Sequence, residues 1–146
     1  MNEELRNIYQ AYLDAPESDR VQLAKEAFGI VARFCHDQGL SDEDGLNFVL
    51  NSIKLFVAAD RRVSEAEYKL FLQMANLQPA DFDAQTFFEM VQGGSDPEFI
   101  QGMDKVIDSM SDDAKLALCT MGLAFLTSDG QLTAAELQVF EQILAR

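Results

Sequence analysis

The chain has few cations and few of the side chains that usually build reactive centres. Its 146 residues include no tryptophan, one histidine, two cysteines and three prolines, and only 11 basic residues stand against 25 acidic ones. One histidine without a nearby cysteine pattern is a poor zinc site, and Cys-x-x-Cys is absent. Neither a serine elbow nor a glycine-rich phosphate loop occurs, so the sequence predicts no enzyme.

Long apolar runs are missing as well. No stretch of 18 or more apolar residues is present, so no transmembrane span is expected. The N-terminal stretch, residues 1–6, is acidic and is followed by polar residues, without the basic start and apolar stretch of a signal peptide. Cys35 and Cys119 both lie in apolar helical patterns, which is typical of reduced core cysteines. These features predict a cytoplasmic protein.

The net charge of −14 restricts the classes of partner. A polyanionic protein repels nucleic acid and anionic membrane surfaces, so neither nucleic-acid binding nor membrane insertion is expected. Cations and protein partners with a basic surface are electrostatically favoured. The same charge also serves solubility without any partner.

Helical periodicity runs through the chain without convincing strand alternation, and it predicts a single all-α domain, 1–146, of seven to eight helices. A first helix lies within 1–16 and ends before Pro16. The second begins with Ser18 as its N-cap, ends at Gly39 as a left-handed residue, and carries two apolar rows that indicate deep burial. These rows are Val21, Ala24, Phe28, Val31 and Cys35, and Leu23, Ala27, Ile30 and Phe34. Six further helices are predicted, at about 42–59, 64–75, 84–92, 97–110, 112–129 and 133–146.

One short pattern occurs twice at a constant offset of 69 residues. In each copy an apolar helix leads into an acidic corner, and a new helix begins. Asp60 and Glu67 of the first copy correspond to Asp129 and Glu136 of the second. The halves that carry the repeat, about 41–75 and 111–145, predict an internal pseudo-two-fold axis in the bundle.

Both glutamates have a purely structural explanation. Ser64 and Glu67 are spaced as a capping box, in which the hydroxyl and the carboxylate each accept a backbone N–H of the other residue. Thr133 and Glu136 have the same spacing, and such a cap contributes about 1 kcal/mol. The capping box does not account for Asp60 and Asp129. Both follow the C-terminal end of a predicted helix, where the helix dipole disfavours a negative charge. An Asx-type turn is a local explanation for them.

Cation binding is the functional interpretation of the same corners. The second copy matches the latter half of an EF-hand loop, but neither copy has carboxylates at the first and third ligand positions. A complete Ca²⁺ loop is therefore excluded in either copy. If the two corners face one another, four carboxylates would converge on Ca²⁺, Mg²⁺ or Mn²⁺. These candidate ligands are Asp60, Glu67, Asp129 and Glu136.

The paired corners resemble the TerB-like domain, an all-helical fold of tellurite-resistance and related bacterial proteins. In that family a helix ends in Ala-x-x-Asp-Gly-x-(Ile/Val/Leu)-(Ser/Thr/Asp)-x-x-Glu, and the corresponding segments here are 57–67 and 126–136. The resemblance covers both corners and the helical layout of about 20–145. It implies a bundle of seven or eight helices with internal pseudo-symmetry. It also implies a metal site at the acidic corners and a role in stress response at protein complexes.

Two functions follow as expectations. The first is a small acidic TerB-like domain that acts as a stress-response or protein-interaction module, tuned by a divalent cation. The alternative is a metal-free acidic immunity or inhibitor protein that occludes a basic partner by charge mimicry.

Overall fold

Eight helices form the part of the chain that the computed structural model describes, residues 3–56, 63–91, 96–127 and 134–144, with only the backbone described at 4, 5, 8, 126 and 134–137. They are α1 (Glu3–Asp14), α2 (Glu17–Asp37), α3 (Asp42–Phe56), α4 (Glu65–Ala75), α5 (Ala84–Val91), α6 (Pro97–Asp108), α7 (Asp112–Leu126) and α8 (Ala134–Leu144). No strand occurs in these ranges, so the all-α prediction is confirmed. None of these helices combines the length and the apolar character that crossing a membrane requires.

The core is built around α7, which is apolar on nearly every side. A helix with one apolar stripe lies at the surface, whereas a helix that is apolar all round is buried. Leu118, Met121 and Leu123 face different directions around α7, and all three are fully buried. Because α7 packs against α1, α2, α3, α4 and α8, it is the central helix of the bundle.

The longest helix, α2, packs along α7 and runs antiparallel to it. Thr127, just past the end of α7, lines the same cleft as Glu17 and Arg20 in the first turn of α2. Tyr12 of α1 closes this end of the pair, since its hydroxyl donates to the carbonyl of Ala124 at 3.4 Å. The N-terminal helix is thereby tied to the central one.

Two expectations for α2 were wrong. The helix begins at Glu17 with Pro16 as its N-cap, because the extended Pro16 carbonyl already accepts the N–H of Arg20 at 2.9 Å, and this places Ser18 inside the first turn. The expectation that both apolar rows of α2 are deeply buried is also wrong. Ala24, Val31 and Cys35 of the first row are buried, but Ile30 of the second row is 47% exposed. One side of α2 therefore faces solvent.

Aromatic contacts join the helices that flank the two corners. Phe56, the last residue of α3, packs on Phe140 of α8 with ring centroids 4.6 Å apart. Phe71 of α4 and Phe125 of α7 both contact the ring of Phe87, with centroids 5.2 and 5.8 Å away. The first half of the chain is thus packed directly against the second.

Candidate functional site

At the first corner, the start of α4 holds one of the predicted ligands, Glu67, whose side-chain contacts are described. Ser64 has an extended backbone, and its hydroxyl accepts the N–H of Glu67 at 3.3 Å. The Oε1 atom of Glu67 accepts the N–H of Ser64 at 3.0 Å and its hydroxyl at 3.1 Å. The predicted capping box is confirmed in both directions.

Glu67 is fully buried, which is unusual for a carboxylate. Burying a charge is costly unless hydrogen bonds compensate for lost hydration, and the two bonds from Ser64 supply part of that compensation. Tyr68 beside it is also buried, and its hydroxyl donates to the carbonyl of Phe82. The packing of α4 therefore holds the Glu67 carboxylate in a set position.

The second corner is described only through its backbone. Glu136 is the third residue of α8, as Glu67 is the third residue of α4, so the two glutamates share one register at their helix starts. The side chain of Glu136 lies outside the described part of the structure, as do residues 128–133. The cap predicted for α8 stays a prediction.

Of the four predicted ligands, only Glu67 has its side chain in the described part of the structure, so their convergence stays a prediction. Asp60 and Asp129 both lie outside the described ranges. Inside those ranges no group of three or more histidine, cysteine, aspartate or glutamate side chains is arranged to hold a metal ion. Glu67 alone is fully defined, and its role there is to cap α4.

Exposed carboxylates mark the starts of two helices. Asp42, Glu43 and Asp44 begin α3, Asp112 and Asp113 begin α7, and all five are exposed. Ser41 and Ser111 cap these helices by accepting the N–H of Asp44 at 3.1 Å and of Ala114 at 3.2 Å. The acids are favourable beside the positive ends of the helix dipoles, and they also give the surface dense negative charge.

A second feature, a groove of about 830 Å³ between α2 and α7, was not predicted. Leu23, Ala27 and Ile30 line it from α2, and Leu116 and Ala117 line it from α7. The apolar pattern of α2 suggested burial for the whole row. Gly29 and Arg33 next to that row were the signal that one side of the helix is open.

The pKa values of Tyr12, Cys35 and Asp83 are shifted, and each shift has a local structural cause. Burial raises the pKa of the Cys35 thiol and of the Tyr12 hydroxyl, although hydrogen bonds partly oppose the effect at both residues. The N–H and hydroxyl of Thr86 donate to the Asp83 carboxylate and lower its pKa. Asp83 precedes α5 as a cap, and this capping geometry accounts for its lowered pKa.

No protein-family model matches this chain. No curated protein and no solved structure matches it either.

Proposed function

We propose that this chain is a cytoplasmic acidic protein-interaction module of TerB-like type that acts in stress response and binds partners with a basic surface. The observation that carries the proposal is the exposed acidic start of α3 and α7, in a chain whose net charge is −14. Two such surfaces on a well-packed bundle favour a cationic protein partner over nucleic acid or a membrane. The proposal assigns no catalytic step to the chain.

The internal pseudo-two-fold relation is part of this proposal. In this relation α3 corresponds to α7, and α4 corresponds to α8. A contact between α3 and α8 should therefore be matched by a contact between α7 and α4, and both contacts occur. Phe56 and Phe140 meet directly, and their counterparts Phe125 and Phe71 both contact the ring of Phe87. These contacts support two related halves.

Binding of a divalent cation at Asp60, Glu67, Asp129 and Glu136 is the regulatory part of the proposal. It requires the Glu67 carboxylate to serve the cation while its Oε1 atom holds the cap of α4. This double demand favours the second candidate, a metal-free acidic inhibitor that covers a basic partner. Calorimetry with Ca²⁺, Mg²⁺ and Mn²⁺ on the parent and on Asp129→Ala separates the two. Binding tighter than millimolar that Asp129→Ala removes supports the cation, and its absence leaves the metal-free candidate.

The interaction itself is tested by affinity capture from a bacterial extract at low and at high salt. The bait is compared with Asp112→Asn/Asp113→Asn, which removes two exposed charges and keeps the Ser111 cap. Glu3→Gln/Asp14→Asn removes the same charge from α1 and serves as the matched control. We expect a basic protein that is retained at low salt, released at high salt and weakened by the α7 variant. Capture of no basic protein would contradict the proposal.

A further inference from the structure

The groove between α2 and α7 is long enough to hold one helix of a partner. Its α2 side extends from Leu23 to Arg33, which at about 1.5 Å per residue is roughly 15 Å, or about three turns of a docked helix. Large apolar side chains form its walls, among them Leu116 and the 47% exposed Ile30. Ile30 shares this lining with Leu23 and Leu116, and contiguous exposed apolar surface of this kind is typical of an interaction site.

The lining between these walls is made of small residues. Ala27 and Ala117 are buried beneath the groove, and Thr120 continues the line along α7. A Cβ atom added to Gly29 would meet nothing within 4 Å, so the space above this residue is open. Small side chains along a helical seam let another helix approach closely, with its side chains lying between the ridges.

The charges that line the groove indicate the character of that helix. Among the described residues, the lining carries two carboxylates, Glu26 and Asp113, and one guanidinium, Arg33. Glu26 and Asp113 are both exposed, and they lie on opposite sides of the groove in a chain of net charge −14. Lysine or arginine beside an apolar stripe would meet favourable charge on both sides. A second copy of this chain would bring another −14 and is disfavoured.

We propose that the α2–α7 groove binds one amphipathic helix of a partner protein, with its apolar stripe on Leu23, Ile30 and Leu116 and its basic flanks toward Glu26 and Asp113. This inference rests on the proposed function, because it locates where the acidic module holds its basic partner. Docking of an amphipathic helix in an apolar groove is a common mode of peptide recognition, recognised by anchors at i, i+3 or i+4, and i+7.

The test uses two fluorescently labelled helical peptides of about four turns with the same leucine stripe. The remaining positions are lysine in one peptide and glutamate in the other. Their binding to the full chain is measured by fluorescence anisotropy at two salt concentrations. Gly29→Leu fills the groove with a side chain, and it replaces a helix-interior glycine, so the variant is expected to remain folded. Gly102→Leu in α6 makes the same change at an equally open glycine outside the groove.

We expect the leucine–lysine peptide to bind the parent, Gly29→Leu to weaken its binding about ten-fold or more, and Gly102→Leu to leave it unchanged. Equal binding of the lysine peptide by Gly29→Leu and Gly102→Leu would overturn binding in the groove, because the general negative charge of the protein would then hold the peptide. The proposed acidic interaction module would still stand. Failure of the parent to bind the lysine peptide, or equally tight binding of the glutamate peptide, would also overturn it. The proposal would also be overturned if the parent formed a dimer that Gly29→Leu dissociates and Gly102→Leu does not, since the groove would then hold a second copy of the chain.

Discussion

The ring of Phe56 lies against the ring of Phe140, with centroids 4.6 Å apart and an interplanar angle of 38°. Phe56 ends α3 just before the first corner, and Phe140 lies in the helix that follows the second corner. Both rings are almost completely buried. The two halves of the chain are thus in direct contact through this aromatic pair.

A double-mutant cycle on this pair measures how strongly the halves are coupled. We expect Phe56→Leu and Phe140→Leu each to lower the free energy of unfolding, because each leaves space in a close-packed core. The double variant is expected to lose less than the sum, by about 0.5–1.5 kcal/mol, since the ring–ring contact is lost only once. Urea unfolding followed by circular dichroism gives the four values. Strict additivity would show that the rings are neighbours without energetic coupling.

Gly122 of α7 permits the approach of these rings, and its replacement is the second prediction. A Cβ atom there would lie 2.6 Å from ring atoms of both Phe56 and Phe140, which is too close for non-bonded carbon atoms, so the rings would have to move. We expect Gly122→Ala to lower the free energy of unfolding by about 1–3 kcal/mol through overpacking. Gly102→Ala is the control, and it is expected to add about 0.5–1 kcal/mol because alanine favours an open helix position. An equal effect of both variants, measured by urea unfolding, would argue against the close approach.

The third prediction concerns the cap of α4. Ser64→Ala removes the hydroxyl that accepts the N–H of Glu67 and that donates to its buried carboxylate. Ser111→Ala removes a matched cap from α7, where the residue three positions on is an alanine and no reciprocal bond exists. We expect a loss of about 1 kcal/mol for Ser111→Ala and about 2 kcal/mol for Ser64→Ala, because a buried charge also loses a donor. Thermal unfolding that gives the reverse order would contradict the part assigned to Glu67.

The sequence predicted several helix caps and helix ends well, because these features depend on residues that are close together in the chain. The spacing of Ser64 and Glu67 specifies a capping box whatever surrounds it, and the box is present. Gly39 was expected to be left-handed at the end of α2, and its φ is 82°. Asn76 ends α4 in the same way with φ of 55°, since asparagine tolerates this conformation, but its sequence signal is weaker than that of glycine.

Features that depend on the relative arrangement of helices were less predictable. The row that includes Ile30 has the spacing of a buried face, yet which side of α2 is covered depends on where α7 lies. Pro16 took the N-cap position from Ser18 because the chain arriving from α1 is already extended there. Convergence of Asp60 with Asp129 depends in the same way on tertiary placement, and both residues lie outside the described ranges, so it stays a prediction.

The fourth prediction uses the lowered pKa of Asp83. Because hydrogen bonds from Thr86 stabilise the folded carboxylate, its contribution to stability is present above the ordinary pKa of aspartate and is lost as the pH falls through the lower folded value. Asp83→Ala is therefore expected to lower the melting temperature at pH 7 and to have a shrinking effect below pH 4.

Asp83→Asn is the control for this titration, since an amide still offers an oxygen to the N–H of Thr86 but carries no proton equilibrium in this range. The gap between Asp83→Asn and Asp83→Ala is expected to stay nearly constant with pH. Melting curves recorded at several pH values from 2.5 to 7 make the comparison. An effect of Asp83→Ala that does not change with pH would show that the carboxylate charge adds nothing to the cap.

The fifth prediction concerns the reactivity of the two cysteines. Cys35 and Cys119 are both buried thiols, and burial raises the pKa of Cys35. Since only the thiolate is a nucleophile, we expect Cys119→Ser, which retains Cys35 alone, to react with iodoacetamide at pH 8 about ten-fold or more slowly when folded than in guanidinium. The folded rate should still rise above pH 9, where an ordinary thiol is already largely ionised. Mass spectrometry at timed intervals measures the rate, and equally fast alkylation of the folded and unfolded chains would contradict the buried placement of Cys35 on α2.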